Sequence, residues 1–404
     1  MNKRLILFGF GNVGGGFYRI FRSVQSPLPV ELIAVVVKHK EKHANLPSDL
    51  LHAYDETTWH PAWEKADVVI ECTSDPVAGW DIIFSSLRAG KAVITSSKRP
   101  LAENLAILDS WLREHPEAVL RYEAAAVASL PVFGGILGHF TSEKAQELLG
   151  VVNGTTHYIL SRMLKEGTSY EKALREAQRL GYAEEDPYLD VSGWDAAYKF
   201  ILLSWRFFQV VISPSALSLW GITGFSESEH LVCQTHRLLL KPVAYARVKE
   251  DLLEVYVGPA FLPAEHALGR LEGAENGLLL RWAWAGWQFY QGMGAGPDAT
   301  GSAILGDLAA VLNKARYAGP LSGSKLTVAG LEGTFYLRGD RLLSQVKSPI
   351  TPIGEGVLWQ GRADDLYRLC CELPPESYFV ALVPTELTLA LSYPFRGYWQ
   401  VFQP

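Results

Sequence analysis

The residues able to do chemistry lie in two places, a glycine-rich turn near the amino terminus and a set of lysines and carboxylates further along. Gly9-Phe10-Gly11-Asn12-Val13-Gly14 spells G-x-G-x-x-G. It follows an apolar run and precedes a helical pattern (Phe17, Ile20, Phe21). There, glycines permit a tight turn and the close approach of a pyrophosphate, whose charge the helix N-terminus stabilises. These six residues are candidate dinucleotide contacts. The next apolar run ends in VVVKHKEK (35–42), which supplies no acidic residue at the position where NAD enzymes usually bind the ribose hydroxyls. Lys38 stands there with His39 and Lys40, and positive charge suits the 2′-phosphate of NADP better than NAD. A solvated lysine cluster is the plainer alternative.

Asp195 and Lys199 are four apart in WDAAYKFILLSW (194–205), a helical pattern that puts both on one face. A structural ion pair uses that spacing, and so does a lysine oriented by a carboxylate. The loop before it, YAEEDPYLDVSG (182–193), crowds together Glu184, Glu185, Asp186 and Asp190. Such an acidic pocket can bind an amino group while a lysine handles an oxygen. Hydride transfer to an aldehyde puts negative charge on the carbonyl oxygen, which needs a donor or cation and then a proton. Lys199 is one candidate for that work. Lys98 in VITSSKRP (93–100) is another, at the carboxyl edge where open α/β sheets bind ligands, with an exposed loop lysine as the alternative. VVNGTTHY (151–158) sets Asn153, Gly154, Thr155 and Thr156 between apolar runs, which an ordinary Asn-Gly turn would also explain.

Positioning these groups requires a scaffold. Residues 1 to about 130 alternate amphipathic segments with the apolar runs RLILF (4–8), VELIAVVV (30–37), DVVIEC (67–72), KAVIT (91–95) and AVLRYE (118–123). That alternation predicts βαβ units and a parallel sheet covered on both faces. From 131 to about 296 the pattern is α+β. Helices are expected over 169–181, ending at Gly181, and over 194–205, and strands at LLEVYVG (252–258) and in 278–292. Residues 320–404 are rich in Pro, Trp and Tyr, with strand-like GTFYLRG (333–339) and YFVALV (378–383), and read as a small β-rich extension of unassigned role.

A chain of 404 residues with 48% hydrophobic and 20% charged content has the material for two or three globular cores. Net charge −6 gives no general attraction to nucleic acid and favours a small neutral or zwitterionic partner. No stretch approaches the ~20 apolar residues of a membrane span. The four cysteines, Cys72, Cys233, Cys370 and Cys371, lack C-x-x-C spacing, as expected of reduced thiols in the cytoplasm.

As a set, these motifs resemble homoserine dehydrogenases. The resemblance covers about residues 3–318 and rests on GFGNVGGG, ECTS (71–74), VITSSK, YEAAAVASLP (122–131), VVNGTTHYIL, GYAEEDPYLDVSGWDAAYK (181–199) and GMGAGPDATGSAILGDL (292–308). It implies a Rossmann-type doubly wound domain (1–130, completed by about 297–318). It also implies a substrate-binding and dimerisation domain (131–296), and homodimers. The implied reaction is the reversible NAD(P)-dependent interconversion of L-homoserine and L-aspartate 4-semialdehyde, in the aspartate pathway to threonine, isoleucine and methionine. By that likeness Lys199 is central to catalysis, Asp195 supports it, and Lys98 lies between cofactor and substrate. Gly154, Thr155, Glu184 and Asp190 meet the substrate. Thr73, Ser74 and Gly296 join the glycine turn around the cofactor, and a sodium ion is held by backbone carbonyls around Glu123, Ala126, Ala128 and Leu130. Ser97, His157, Trp220, Pro297 and Ala299 depart from the usual residues. A reductase of another small amino-acid aldehyde, or a non-catalytic dinucleotide-binding protein, would carry many of the same letters.

Overall fold

The computed structural model describes residues 2–383 except 25–27, 44–45, 56, 141, 315–323 and 347–349. The chain folds as two units, each assembled from separated stretches. The first comprises Met1–Lys144, Tyr198–Pro214 and Gly292–Ser324, and the second comprises Ala145–Ala197, Ser215–Gln291 and the chain from Lys325 onward.

In the first unit, β1 (Lys3–Phe8), β2 (Val30–Val37), β3 (Leu51–Ala53), β4 (Val68–Glu71), β5 (Ala92–Thr95) and β6 (Leu120–Arg121) form one parallel sheet in the order β3-β2-β1-β4-β5-β6. The order reverses between β1 and β4, which opens a crevice at the carboxyl ends of the strands. Both faces are covered, as the unbroken apolar runs require. Leu5, Leu7 and Ile70 pack with Phe17, Ile304 and Leu308 on one face, and Ile6, Phe8, Val36 and Val69 with Ile82 on the other. Strand β2 coincides with its expected run. Strand β3 was not anticipated, because a three-residue LHA segment has no apolar run, and β6 keeps only two residues of AVLRYE.

The late glycine segment leads into a helix at Pro297–Leu312. This helix lies against the helix Asn12–Ser23 at a contact only glycine permits. A Cβ on Gly16 would sit 2.3 Å from the Pro297 carbonyl oxygen, and one on Gly301 would sit 2.7 Å from the Phe17 nitrogen.

In the second unit, β7 (Ala145–Val151), β8 (Leu238–Lys249), β9 (Leu252–Pro263), β10 (Glu275–Trp282) and β11 (Gly286–Met293) are joined by β12 (Thr327–Gly330), β13 (Glu332–Arg338), β14 (Ile350–Ile353), β15 (Gly356–Arg362) and β16 (Phe379–Val383). They make one sheet in the order β11-β10-β7-β8-β9-β16-β13-β15-β14, with β12 also on β9. The stretch 278–292 divides into two strands at a turn. The described part of the C-terminal extension continues the sheet of this unit, with Leu382 beside Ala260, and residues 384–404 lie outside the described residues. Helices Gly154–Glu166 and Tyr170–Arg179 cover the sheet through Ile159, Leu160, Met163, Ala173 and Ala177, which pack with Leu240, Phe261, Tyr336 and Phe379. The second helix stops where expected, at Leu180 followed by Gly181 with φ +77°. Among the described residues no helix is long and apolar enough to cross a membrane.

Candidate active site

The glycine turn divides its labour. Gly9 has φ +89°, and a Cβ there would lie 2.4 Å from the Cys72 carbonyl oxygen; a Cβ on Gly14 would lie 2.1 Å from the Gly9 carbonyl oxygen. These two glycines are fixed by the packing of strand, turn and helix. A Cβ on Gly11 meets nothing within 4 Å, so this face is open to an approaching group. Gly11 also starts the helix Asn12–Ser23 with no side-chain cap and no acidic residue in the first turn, leaving backbone N–H groups for an anion. The turn thus fits a dinucleotide pyrophosphate. Asn12 is exposed, whereas Phe10 and Val13 pack against the sheet's core. Lys38 is exposed just past β2, and Gly296, exposed with φ +118°, precedes the helix Pro297–Leu312.

At the ends of β4 and β5 a buried carboxylate that sequence reasoning missed holds the crevice together. Glu71 Oε1 accepts the Thr73 N–H at 2.7 Å, the Thr73 hydroxyl at 2.6 Å and the Ser97 hydroxyl at 3.0 Å, and Oε2 accepts the Thr95 hydroxyl at 2.5 Å. Complete burial raises the Glu71 pKa, against the pull of these donors. Ser97, one of the departures, is therefore a partner of Glu71, and it immediately precedes the helix Lys98–Glu103, whose first residue is the half-buried Lys98. The signal was legible in hindsight: an acid ending an apolar strand, with hydroxyl residues following it in ECTS and ending the next strand in ITSS. Ser74 is exposed, one residue before Asp75, which caps the helix Pro76–Arg88 through the Val77 and Ala78 N–H groups.

The loop after β6 turns on Glu123. Its carboxylate accepts the N–H groups of Phe133 at 2.8 Å and Gly134 at 2.7 Å, and its own N–H donates to Asp307 Oδ2 at 2.9 Å. The Glu123 and Leu130 carbonyls accept the N–H groups of Ala126 at 3.3 Å and Val132 at 2.8 Å. Ala128 has φ +45°. Among the described residues no group of three or more His, Cys, Asp or Glu side chains could hold a metal, so a cation here would depend on carbonyl oxygens.

The second unit gathers its polar residues at the start of the helix Gly154–Glu166. Asn153 caps that helix, its side-chain oxygen accepting the Thr156 N–H at 2.8 Å. Its amide nitrogen donates to Asp190 Oδ1 and to Asp195 Oδ2, both at 2.7 Å. Sequence reasoning named both aspartates and singled out Asn153, with an ordinary Asn-Gly turn as the alternative, but not its bonds to either aspartate. Thr155 is buried, and its hydroxyl donates to the Tyr182 carbonyl at 2.6 Å. The missing side chain of Gly154 serves packing, since a Cβ would lie 2.7 Å from the Ala274 carbonyl oxygen. Glu184 is exposed, its carbonyl accepting from the Gln178 amide. Asp195 is buried near the start of the helix Trp194–Phe208; Lys199, also buried, comes four residues later on that helix, in the stretch Tyr198–Pro214 that belongs to the first unit. His157 is fully buried, with Nε2 2.7 Å from Lys241 Nζ. Trp220 is buried and stacks on Tyr256.

Residues 9–115 match the model of the homoserine dehydrogenase NAD-binding domain, and residues 131–309 match the homoserine dehydrogenase model. The homoserine dehydrogenase of Bacillus subtilis is 30% identical over 323 residues, 78% of this chain and 73% of the relative. A homoserine dehydrogenase structure from Thiobacillus denitrificans shares the fold, with TM-score 0.79 at 22% identity over 95% of this chain and 98% of that one. A hyperthermophilic archaeal homoserine dehydrogenase in complex with NADPH has TM-score 0.65 at 24% identity, over 78% and 98% of the two chains. The glycine turn fitted for a dinucleotide, the paired aspartates and these matches together show that the chain belongs to the homoserine dehydrogenase family of NAD(P)-dependent oxidoreductases.

Proposed function

We propose that the chain interconverts L-homoserine and L-aspartate 4-semialdehyde with Lys199, Asp195 and Lys98 as its working groups. The observation that carries this reading is the Asn153 amide holding Asp190 and Asp195 together, with Lys199 one helical turn beyond Asp195. A bound nicotinamide supplies or takes up the hydride. Asp190 and the exposed Glu184 bind the substrate's amino group by charge-assisted hydrogen bonds, and the Gly154–Thr155 backbone and the Thr155 hydroxyl oxygen contact its polar atoms. Lys199 donates a hydrogen bond to the substrate oxygen and stabilises the charge that develops there, while Asp195 fixes its orientation. Lys98 moves the proton: it leaves the homoserine hydroxyl on oxidation and returns to the aldehyde oxygen on reduction.

For the cofactor, Gly9 to Gly14, Thr73, Ser74 and Gly296 form the dinucleotide contacts. Lys38, at the end of β2 where NAD enzymes usually place an acid, selects NADP(H) over NAD(H). A sodium ion among the carbonyls of Glu123, Ala126, Ala128 and Leu130 would brace the loop between β6 and the 132–136 turn, and the working enzyme is a homodimer. Steady-state oxidation of L-homoserine with NAD+ and NADP+ side by side tests the reading. A homoserine-dependent rate that collapses in Lys199→Ala is expected; no such rate with either nucleotide overturns it.

A further inference from the structure

A lysine and a histidine rarely share a buried site, and in the second unit they do. Lys241, on β8, is 5% exposed and His157, on the helix Gly154–Glu166, is 0% exposed. Lys241 Nζ lies 2.7 Å from His157 Nε2 and 3.2 Å from the Leu271 carbonyl oxygen. An ammonium has three donors and no acceptor, so at this distance Nε2 must accept, which makes the imidazole neutral with its proton on Nδ1. Burial and the neighbouring Lys241 charge hold His157 far below its usual range, at about 3, so it stays an acceptor at working pH. Burial and Lys165 lower Lys241 to about 8, with Glu272 and Glu275 acting the other way.

The place of this contact matters. His157 is four residues after Asn153, and its backbone N–H donates to the Asn153 carbonyl at 3.2 Å. Leu271 belongs to the same loop as Ala274, whose carbonyl faces Gly154. One ammonium therefore ties β8 to the helix start carrying Asn153, Gly154 and Thr155, and to the loop packed against it.

We infer that Lys241 and His157 are a positioning pair that holds the Asn153–Thr155 turn in its substrate-binding geometry. The inference rests on the reading of Gly154, Thr155 and Asp190 as substrate contacts. The pair touches neither substrate nor cofactor, so its removal acts on substrate affinity through the turn.

Lys241→Met keeps the side-chain length and removes the donors; His157→Leu removes the acceptor; His157→Gln supplies another acceptor. We expect the first two to raise KM for L-homoserine about ten-fold while KM for the nucleotide stays within two-fold. The double variant should be no worse than either single, and His157→Gln should recover most of the loss. Hydrogen exchange should speed up at residues 155–158 in Lys241→Met and not at the glycine turn. Unchanged homoserine KM, equal losses for homoserine and nucleotide, or additive single effects would overturn the inference. If Lys241→Met does not fold, His157→Leu against His157→Gln decides the same question. Wild-type turnover of homoserine is the control: its absence sinks the assigned reaction, whereas turnover that is indifferent to both substitutions sinks the pair. Should that control fail, the hydrogen-exchange comparison still judges the pair.

Discussion

Asn153 Nδ2 lies 2.7 Å from Asp195 Oδ2, and the same nitrogen lies 2.7 Å from Asp190 Oδ1. One amide thereby holds two carboxylates near each other while its oxygen starts a helix. Removing it should free both acids to repel and leave the helix uncapped. Asn153→Ala is expected to cost about 1–2 kcal/mol of stability from the lost cap. It should also cost roughly 100-fold in kcat/KM from misplaced aspartates. Thermal unfolding and steady-state kinetics on one preparation check this; a stability loss with full activity would show that the amide is only a cap.

Gly154 makes a second test of the same turn. A methyl group there would press on the Ala274 carbonyl at 2.7 Å, and backbone yields poorly. Gly154→Ala should therefore destabilise by about 1–3 kcal/mol, in the range of overpacked sites. Denaturant melts will show it as a lower midpoint with an unchanged slope.

Lys38 decides nucleotide choice if its ammonium meets the 2′-phosphate. Lys38→Ala should raise KM for NADP+ about ten-fold or more, the worth of a charge-assisted hydrogen bond, and leave NAD+ unaffected. Equal weakening of both would remove Lys38 from the site.

Glu71 gives a pH-dependent prediction. Its pKa is raised by burial above the usual 4.5, so between that value and its folded value the folded chain binds more protons than the unfolded one. Stability must fall as pH rises through that window. Glu71→Gln, neutral throughout, should lack this fall, so the wild type loses stability relative to it as pH climbs above 4.5. Parallel curves would refute the burial argument. Glu71→Ala should be worse than either at every pH, because it leaves the Thr73, Thr95 and Ser97 donors without their common acceptor.

The C-terminal strands carry a buried ion pair. Glu229, fully buried, accepts Arg338 Nε at 2.6 Å and the Tyr336 hydroxyl at 3.0 Å. Arg338→Met should cost about 3–5 kcal/mol because it strands a buried carboxylate. Arg338→Met with Glu229→Gln should recover part of that loss in the same melt.

The sequence showed the parallel sheet clearly, since runs such as VELIAVVV are both apolar and bounded by turns. It also put forward carboxylates and lysines as candidates, and the structure joins two of them, Asp190 and Asp195, through Asn153. What stayed hidden was anything set by distant partners. Beyond their neighbours Thr73 and Thr156, Glu71 and Asn153 act through Thr95, Ser97, Asp190 and Asp195, 24 to 42 positions away. Strand β8 has a mixed pattern because Leu238 and Leu240 pack with the covering helices while Val243, with Val151 of β7, packs in a separate apolar cluster. The three residues of β3 are strand only because β2 lies beside them.

Strand β9 has Leu382 beside its Ala260, and the helix Asn12–Ser23 is covered by Pro297–Leu312. Each unit thus closes around a segment that leaves the ribosome long after the strands and helices it completes. During synthesis the glycine turn waits for some 280 further residues before its covering helix exists, and β9 waits for about 120. Such order delays completion of each core until its late segment has been made, and a chain cut short before that segment becomes a target for aggregation and proteolysis rather than a smaller enzyme.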